Sequence, residues 1–320
     1  MRPRPSALER FLVPAHEAER YPLAWAEIFG RSAPLAVEVG FGGGEYLGWW
    51  ASQQPEWNLV GIEQPPECVW RAARDFERAG LENLRLVRGD ARTLLRELFE
   101  PASLEKVLMQ FPMPWPKEKH AKHRVSSPGF AAVLATVLRP GGVFELVTDQ
   151  GWYATEAHDF LSGDGRFELG PLEVDPARPF RTRYEQKWLE EGRDIFRVEA
   201  RLLEGAAADR IIRDPAMHCV HIDQPLRAEA VEALAGQSFR ESGKVAEVKE
   251  CFRASDSWLL KVLSADGSFS QIYYLRVAPK KQGGLVKVEP QPRPYPTDAV
   301  RFTVEVVGRT LRERLAAGPA

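Results

Sequence analysis

Between residues 35 and 149, short β-branched runs alternate with amphipathic segments, and this alternation restricts the fold more than any other feature of the chain. LAVEVG (35–40), WNLVGIE (57–63), LRLVRG (84–89), LEKVLMQF (104–111) and VFELVTD (143–149) have the length and composition of buried strands. EYLGWWASQ (45–53), a segment from Glu67 to about Ala79, one around 92–99 and PGFAAVLATVL (128–138) have helical spacing, and the turn RPGG stops the last of them. Strict alternation of this kind predicts an α/β fold: a doubly wound, mostly parallel sheet with right-handed crossovers. RTRYEQKWLEEGRDIFRVEARL adds a helix and a closing strand.

After about residue 205 the pattern changes to KVAEVKECFR, WLLKVLS, QIYYLRV and LVKVEP at hairpin spacing, followed by a helix near 298–315. The expected domains are therefore 1–205, with an N-terminal arm, and a smaller α+β domain at 206–320 to which the sequence assigns no role. Ligands of doubly wound sheets bind at the carboxyl ends of the strands, where strand order reverses. In this chain those ends carry Glu38 to Gly44, Glu63, Asp90, Phe111 onward and Asp149.

VEVGFGGGE places Gly40, Gly42, Gly43 and Gly44 between a strand and a helix, where backbone N–H groups can approach a ligand closely. Glu45 stands where the dinucleotide fingerprint needs a small residue, and no Gly-Lys-Ser/Thr follows, so a phosphate ligand is disfavoured. Glu63 lies 23 residues after Gly40, at the spacing of a carboxylate that accepts from ribose hydroxyls. Asp90 falls where an adenine edge is read, and Glu38 sits beside the loop. Taken singly, these acids would serve equally as helix caps or water contacts. In register on successive strands, they fit an adenosine ligand that is cationic, with S-adenosyl-L-methionine the obvious candidate.

The fourth strand runs into FPMPWPKEKHAKHR (111–124), three prolines and a tryptophan followed by a basic cluster. Residues before proline favour extended backbone, so FPMPWP is expected to form a stiff arm over the ligand crevice. Trp115 could stack on a base or simply pack the arm down. Lys117, Lys119, Lys122 and Arg124, with His120 and His123, offer phosphate or base-edge donors, or a solvated charged face. No Cys or carboxylate spacing supports a metal at the two histidines.

GFGGGE, GIE, RGDA, FPMPWPKEKHAKHR and LVTD, in that order, resemble the tRNA (guanine-N7-)-methyltransferase family over about residues 35–202. The resemblance implies a class I Rossmann-like methyltransferase that uses S-adenosyl-L-methionine to methylate N7 of a guanine in the variable loop of tRNA. By position it implies that Glu38, Gly40, Gly42, Glu63 and Asp90 bind the cofactor. Lys117, Asp149, Thr182 and Glu185 would bind the substrate guanosine, and Lys119, His120, Lys122, His123 and Arg124 would contact RNA. For Asp149 a helix cap, and for Thr182 with Glu185 a capping box, fit the same residues.

One departure stands out. The family's catalytic aspartate position, between the two prolines of F-P-D-P-W, is Met113 here, and a thioether holds no charge. Asp149 is the best remaining carboxylate. Met113 also motivates an alternative, a tRNA-binding protein of the same fold with weak or lost catalysis; a class I methyltransferase acting on a small molecule or protein is a third possibility.

The formal net charge of −2 and pI near 6.4 give no global field for a polyanion, so RNA contact must come from a local patch. Cys68, Cys219 and Cys251, odd in number and far apart, speak against disulfides and structural zinc, and for a reducing cytoplasm. No stretch has the composition of a signal peptide or a membrane-spanning helix, so no membrane and no metal partner are expected. Oligomeric state has no signature in the sequence.

Overall fold

A computed structural model describes residues 6–117, 124, 127–207, 209–267 and 269–317. The chain divides into two compact units, Met1–Pro14 with Pro22–Asp209, and Ala15–Tyr21 with Arg210–Ala320. Part of the N-terminal arm thus groups with the second unit, in which the His16 ring packs edge-on against Tyr295 at 6.1 Å.

The first unit runs α1 (Ala7–Phe11), α2 (Trp25–Phe29), β1 (Leu35–Val39), α3 (Glu45–Gln53), β2 (Asn58–Glu63), α4 (Pro66–Arg78), β3 (Leu84–Arg88) and α5 (Ala91–Leu98). It continues through β4 (Leu104–Gln110), α6 (Pro128–Val137), β5 (Leu138–Thr148), α7 (Gly151–Gly163), β6 (Phe167–Leu169), β7 (Glu173–Val174), α8 (Arg183–Glu190) and β8 (Phe196–Leu202). The sheet order is β3-β2-β1-β4-β5-β8-β6, with β7 also on β8. β1 to β5 pair in parallel, whereas β8 is antiparallel to β5.

β1 is buried along its whole length, as expected for an interior parallel strand covered on both faces. α4 begins at Pro66, whose ring presets the first helical turn, and buries Val69, Ala72, Ala73 and Phe76. Gly44 lets α3 approach α4: a Cβ there would lie 2.8 Å from the Phe76 ring and 2.9 Å from Ala72. The strand order, not the strand direction, reverses between β1 and β4, and their parallel register pairs Val39 with Met109. Glu38 and Gln110 therefore stand side by side at the switch point.

RPGG does not end a helix before a fresh strand, as the sequence suggests. β5 starts at Leu138, and its pairing to β4 jumps from Leu104↔Leu138 to Lys106↔Val143, so the four residues form a bulge opposite Glu105. Gly142 permits it, since a Cβ would come within 2.9 Å of the Leu104 and Arg139 carbonyl oxygens.

The second unit contains β9 (Cys219–Ile222), α9 (Ala228–Glu232), β10 (Ser238–Glu241), β11 (Lys244–Arg253), β12 (Trp258–Asp266), β13 (Phe269–Pro279), β14 (Gly284–Val288) and α10 (Asp298–Ala316). Its antiparallel sheet has the order β10-β11-β12-β13-β14-β9. Val300, Val304, Val307 and Leu311 of α10 recur at helical spacing and share one core with Leu260, Val262, Tyr273 and Leu275. Within that core the Ser264 hydroxyl lies 2.7 Å from the Tyr273 hydroxyl and 2.6 Å from Thr303 Oγ1, which keeps three buried polar groups satisfied.

Candidate active site

The floor of the site is the β1–β4 switch point. Glu38 is 2% exposed, and its Oε1 accepts from Gln110 Nε2 at 3.1 Å. Its Oε2 is buried with no hydrogen-bond partner among the described residues. Burial pushes the Glu38 carboxyl up to about 8, against the opposing pull of Gln110 and Arg178. Arg178 Nη2 donates to Gln110 Oε1, and Arg178 Nε lies 3.2 Å from Glu185 Oε1. Burial also raises the Glu185 carboxyl, with Arg178 and Arg181 holding it down.

A cavity of about 340 Å³ lies toward β2 and β3, with Glu63, Asp90 and Gly40 in its wall. The Glu63 carboxylate is fixed by two backbone donors, Gly42 N and Gln64 N, each at 2.8 Å. Gly42 has φ 53°, which aims its N–H at Glu63; this left-handed turn is open to glycine at little cost. Asp90 caps α5 by accepting from Arg92 N at 3.0 Å and also receives the Arg92 guanidinium at 2.5 Å.

A second cavity of about 760 Å³ opens over β1, β4 and β5 and is walled on one side by α8. Gly40, Pro112 and Met113 belong to both cavities. Asp149 lies in the larger one, where its Oδ2 accepts from Arg193 Nη1 at 2.7 Å and from Gln150 Nε2 at 2.6 Å. Arg193 in turn sits 3.9 Å above the Trp188 ring, a cation–π contact that fixes the guanidinium. Thr182 caps α8 by accepting from Glu185 N at 3.2 Å, and Arg183 N donates to Glu45 Oε2 at 2.9 Å. Arg71, Arg183, Lys187 and Arg193 give this cavity a basic rim.

The arm after β4 is anchored from behind. Arg124 is 4% exposed; it donates to the Trp115 carbonyl through Nε at 3.1 Å and Nη2 at 2.9 Å, and to Glu156 Oε2 at 2.9 Å. Phe111 and Trp115 have φ of 47° and 49°, so two of the three residues before proline are left-handed rather than extended. The clamp on the Trp115 carbonyl supplies bonds that can offset such strain, typically about 1–3 kcal/mol per residue.

A family model described as "Putative methyltransferase" matches residues 32–198. A tRNA (guanine-N(7)-)-methyltransferase of Thermotoga maritima is 37% identical over 93% of this chain and 94% of its own. One of the same name from Thermus thermophilus is 32% identical over 96% of both chains. The chain belongs to the tRNA (guanine-N(7)-)-methyltransferase family. It is an enzyme family, and both full-length matches include the second unit.

Of the positions the family pattern singles out, Glu38, Gly40, Asp149 and Thr182 stand in the wall of the larger cavity with Gly42, and Gly40, Glu63 and Asp90 stand in the wall of the smaller. Met113, at the family's aspartate position, forms part of both walls and is 65% exposed. Glu185 is 1% exposed and absent from both walls: its carboxylate turns inward to Arg178, so the capping box is only half made. Lys117 is exposed and also lies outside both walls. Arg124 is spent inside the protein, holding the arm rather than facing outward. Lys119, His120, Lys122 and His123 lie outside the described residues.

Gln110, Arg178, Trp188 and Arg193 shape the site and were not singled out by sequence. For Gln110 a signal existed, since it is the last residue of β4 at the switch point. The other three act through contacts between segments far apart in the chain.

Proposed function

We propose that this protein transfers the methyl group of S-adenosyl-L-methionine to N7 of a guanine in the variable loop of tRNA. The observation that carries the reading is the pair of cavities joined at Gly40, Pro112 and Met113, the smaller walled by Glu63 and Asp90 and the larger by Glu38 and Asp149 under a basic rim, in a chain matched along its length by relatives named for this reaction.

The residues present fit the cofactor. Glu38 Oε2 is a buried acceptor with no partner among the described residues, suited to a cationic or N–H-bearing group. Glu63 is held with its carboxylate presented at the smaller cavity, and Asp90, the N-cap of α5 just beyond the neighbouring strand, stands in the same wall. Glu38, Glu63 and Asp90 with Gly40 and Gly42 would hold the cofactor, which when bound supplies a methyl group on a cationic sulfonium.

On the substrate side, Asp149 has its Oδ2 engaged by Arg193 and Gln150, which fixes the carboxylate to accept from the N–H edge of a guanine through Oδ1. Guanine N7 carries its own lone pair, so no residue has to remove a proton from it. The chain's task is then orientation, which can lower a barrier by about 7–11 kcal/mol, and stabilisation of the purine as it becomes cationic. Met113 does not block this chemistry, because no step needs a base at that position.

Arg71, Arg183 and Lys187 on the cavity rim, with exposed Lys117, supply local positive charge for RNA phosphates, to which the sequence adds Lys119, His120, Lys122 and His123. Among the described residues no helix is long and apolar enough to cross a membrane, and no group of three His, Cys, Asp or Glu could hold a metal. The free cysteines Cys68, Cys219 and Cys251 and the tRNA substrate suit the cytoplasm.

The test is reaction of the purified protein with unmodified bulk tRNA and the methyl donor, followed by mapping of the modified nucleotide. The expected product is 7-methylguanosine at one position. Donor binding without product, or methylation indifferent to tRNA, would overturn the reading.

A further inference from the structure

Glu38, Gln110, Arg178 and Glu185 form a buried chain that crosses the floor of the larger cavity and continues behind α8. Gln110 lines the cavity and is 7% exposed. A glutamine amide ordinarily reads donors and acceptors alike, because it can turn over and exchange its oxygen for its nitrogen. Here it cannot. Arg178 offers only N–H groups, so Gln110 Oε1 must face the guanidinium, and Nε2 then donates to Glu38 Oε1. Arg178 is itself immobilised by Glu185 at 3.2 Å and by the Tyr46 ring at 5.5 Å. One N–H of the amide is left for a ligand.

We propose that Gln110 donates to O6 of the target guanine, and that Arg178 is the positioning residue which keeps the amide in this sense and so makes the site select guanine over adenine. The inference rests on the function proposed above. An enzyme acting on N7 must address the Hoogsteen edge of the purine, where position 6 lies next to N7. Guanine presents an acceptor there and adenine an amino donor. A fixed N–H donor pairs with the first and leaves two donors facing each other with the second, the kind of mismatch that a buried site rejects strongly. The ionised state of Glu38 does not alter the argument, since either form of its Oε1 accepts from Nε2.

Three tRNA transcripts test it, carrying at the target position guanosine, inosine, which keeps O6 and N1–H and lacks the 2-amino group, or 2-aminopurine, which keeps the amino group and lacks both O6 and N1–H. For the wild-type enzyme kcat/KM on the 2-aminopurine transcript should fall about 10- to 100-fold below that on inosine, the worth of one buried hydrogen-bond donor left unpaired. In Gln110→Leu that ratio should shrink by about the same 10- to 100-fold factor, leaving only the part due to the lost N1–H contact with Asp149.

Because Gln110→Leu strips a partner from buried Arg178 and can cost the fold, Arg178→Met is measured beside it. Freeing the amide to turn should lower the ratio with Gln110 still present. Arg178→Lys, which can only donate, should restore it, an outcome a merely structural role would not produce. Equal wild-type rates on the two analogues, or variants that keep the wild-type ratio, would overturn the proposal. Failure of the wild-type enzyme on the guanosine transcript would instead refute the function itself.

Discussion

Binding of the methyl donor should expel a proton from Glu38. The Glu38 carboxyl is pushed up to about 8 by burial, so at pH 7 roughly one molecule in ten of the free protein carries it ionised. A cation placed against Oε2 favours the carboxylate, so donor affinity should rise about tenfold per pH unit from about pH 6 to 8 and then level off. The charged and titratable groups around Glu38 do not reproduce this slope. Arg178 and the amide of Gln110 pull its pKa down at every pH, Glu63 pushes it up, and Tyr46, raised further by its own burial, stays neutral in this range.

In Glu38→Gln the donor should bind more weakly with a shallower pH profile. The ligand's own α-amine titrates near 8 in both proteins, so the difference between them isolates Glu38. Calorimetry at pH 7 in two buffers of different ionisation enthalpy should show about 0.9 more protons released by wild type than by the variant. Stability moves in the opposite sense. The folded protein holds a proton on Glu38 that the unfolded chain has lost above pH 4.5, so this contribution is fully present below that pH and is lost as pH rises through 8. Relative to Glu38→Gln, wild type should lose about 1.4 kcal/mol per pH unit in that window. Equal proton release in the two proteins, or a pH slope that survives in the variant, would refute the reasoning.

Two other substitutions separate structural from chemical roles. Met113→Asp should leave thermal stability nearly unchanged, because the side chain is 65% exposed, and should keep turnover on tRNA within about tenfold of wild type or raise it; a sharp loss in a steady-state assay would show that the thioether fits a rearranged site. Arg124→Met should lower Tm by several degrees, since it removes a guanidinium that makes a 2.9 Å bond to Glu156 and holds the Trp115 carbonyl, charge-assisted bonds worth about 1.5–3 kcal/mol. Calorimetric unfolding checks this, and unchanged Tm with weakened RNA binding would return Arg124 to the RNA-facing role its place in the basic run suggests.

The strands of the first unit were legible because each is a short β-branched run, and the doubly wound rule then placed Glu38, Glu63, Asp90 and Asp149 at one edge of the sheet. The bulge at RPGG was not legible, because Pro-Gly-Gly reads as a stop whether a strand ends or merely detours. Strands β6, β7, β9 and β10 have two to four residues each, too few to show a period of two. Arg178 was hidden for another reason. Its partner Gln110 is 68 residues away, and a lone arginine in a loop carries no pattern. Arg124 misled for the converse reason: a basic run gives its members one appearance, and only the fold shows which of them turns inward. Thr182 and Glu185 fitted both a cap and a binding motif, and in the structure Thr182 both caps the helix and lines the cavity while Glu185 braces Arg178.

The missing carboxylate at position 113 is less costly than its place in the family pattern suggests, because of where the remaining charges lie. A charge at an exposed side chain acts through water, where a partner 4 Å away feels about 1 kcal/mol; at the effective dielectric near a protein surface the same pair interacts by about 4 kcal/mol. Glu38, 2% exposed, and Asp149, with its side chain 11% exposed, act in the second regime. In the proposed reaction positive charge would sit on the donor before methyl transfer and on the purine afterwards, so these two carboxylates would favour both ends of it. Glu38 and Asp149 both line the larger cavity, and Met113 stands on the ridge that it shares with the smaller one. Met113 is 65% exposed, so a carboxylate in its place would add only a water-screened charge to those two carboxylates. On this account a thioether at position 113 costs little, and the larger losses should come from substitutions at Glu38 and Asp149.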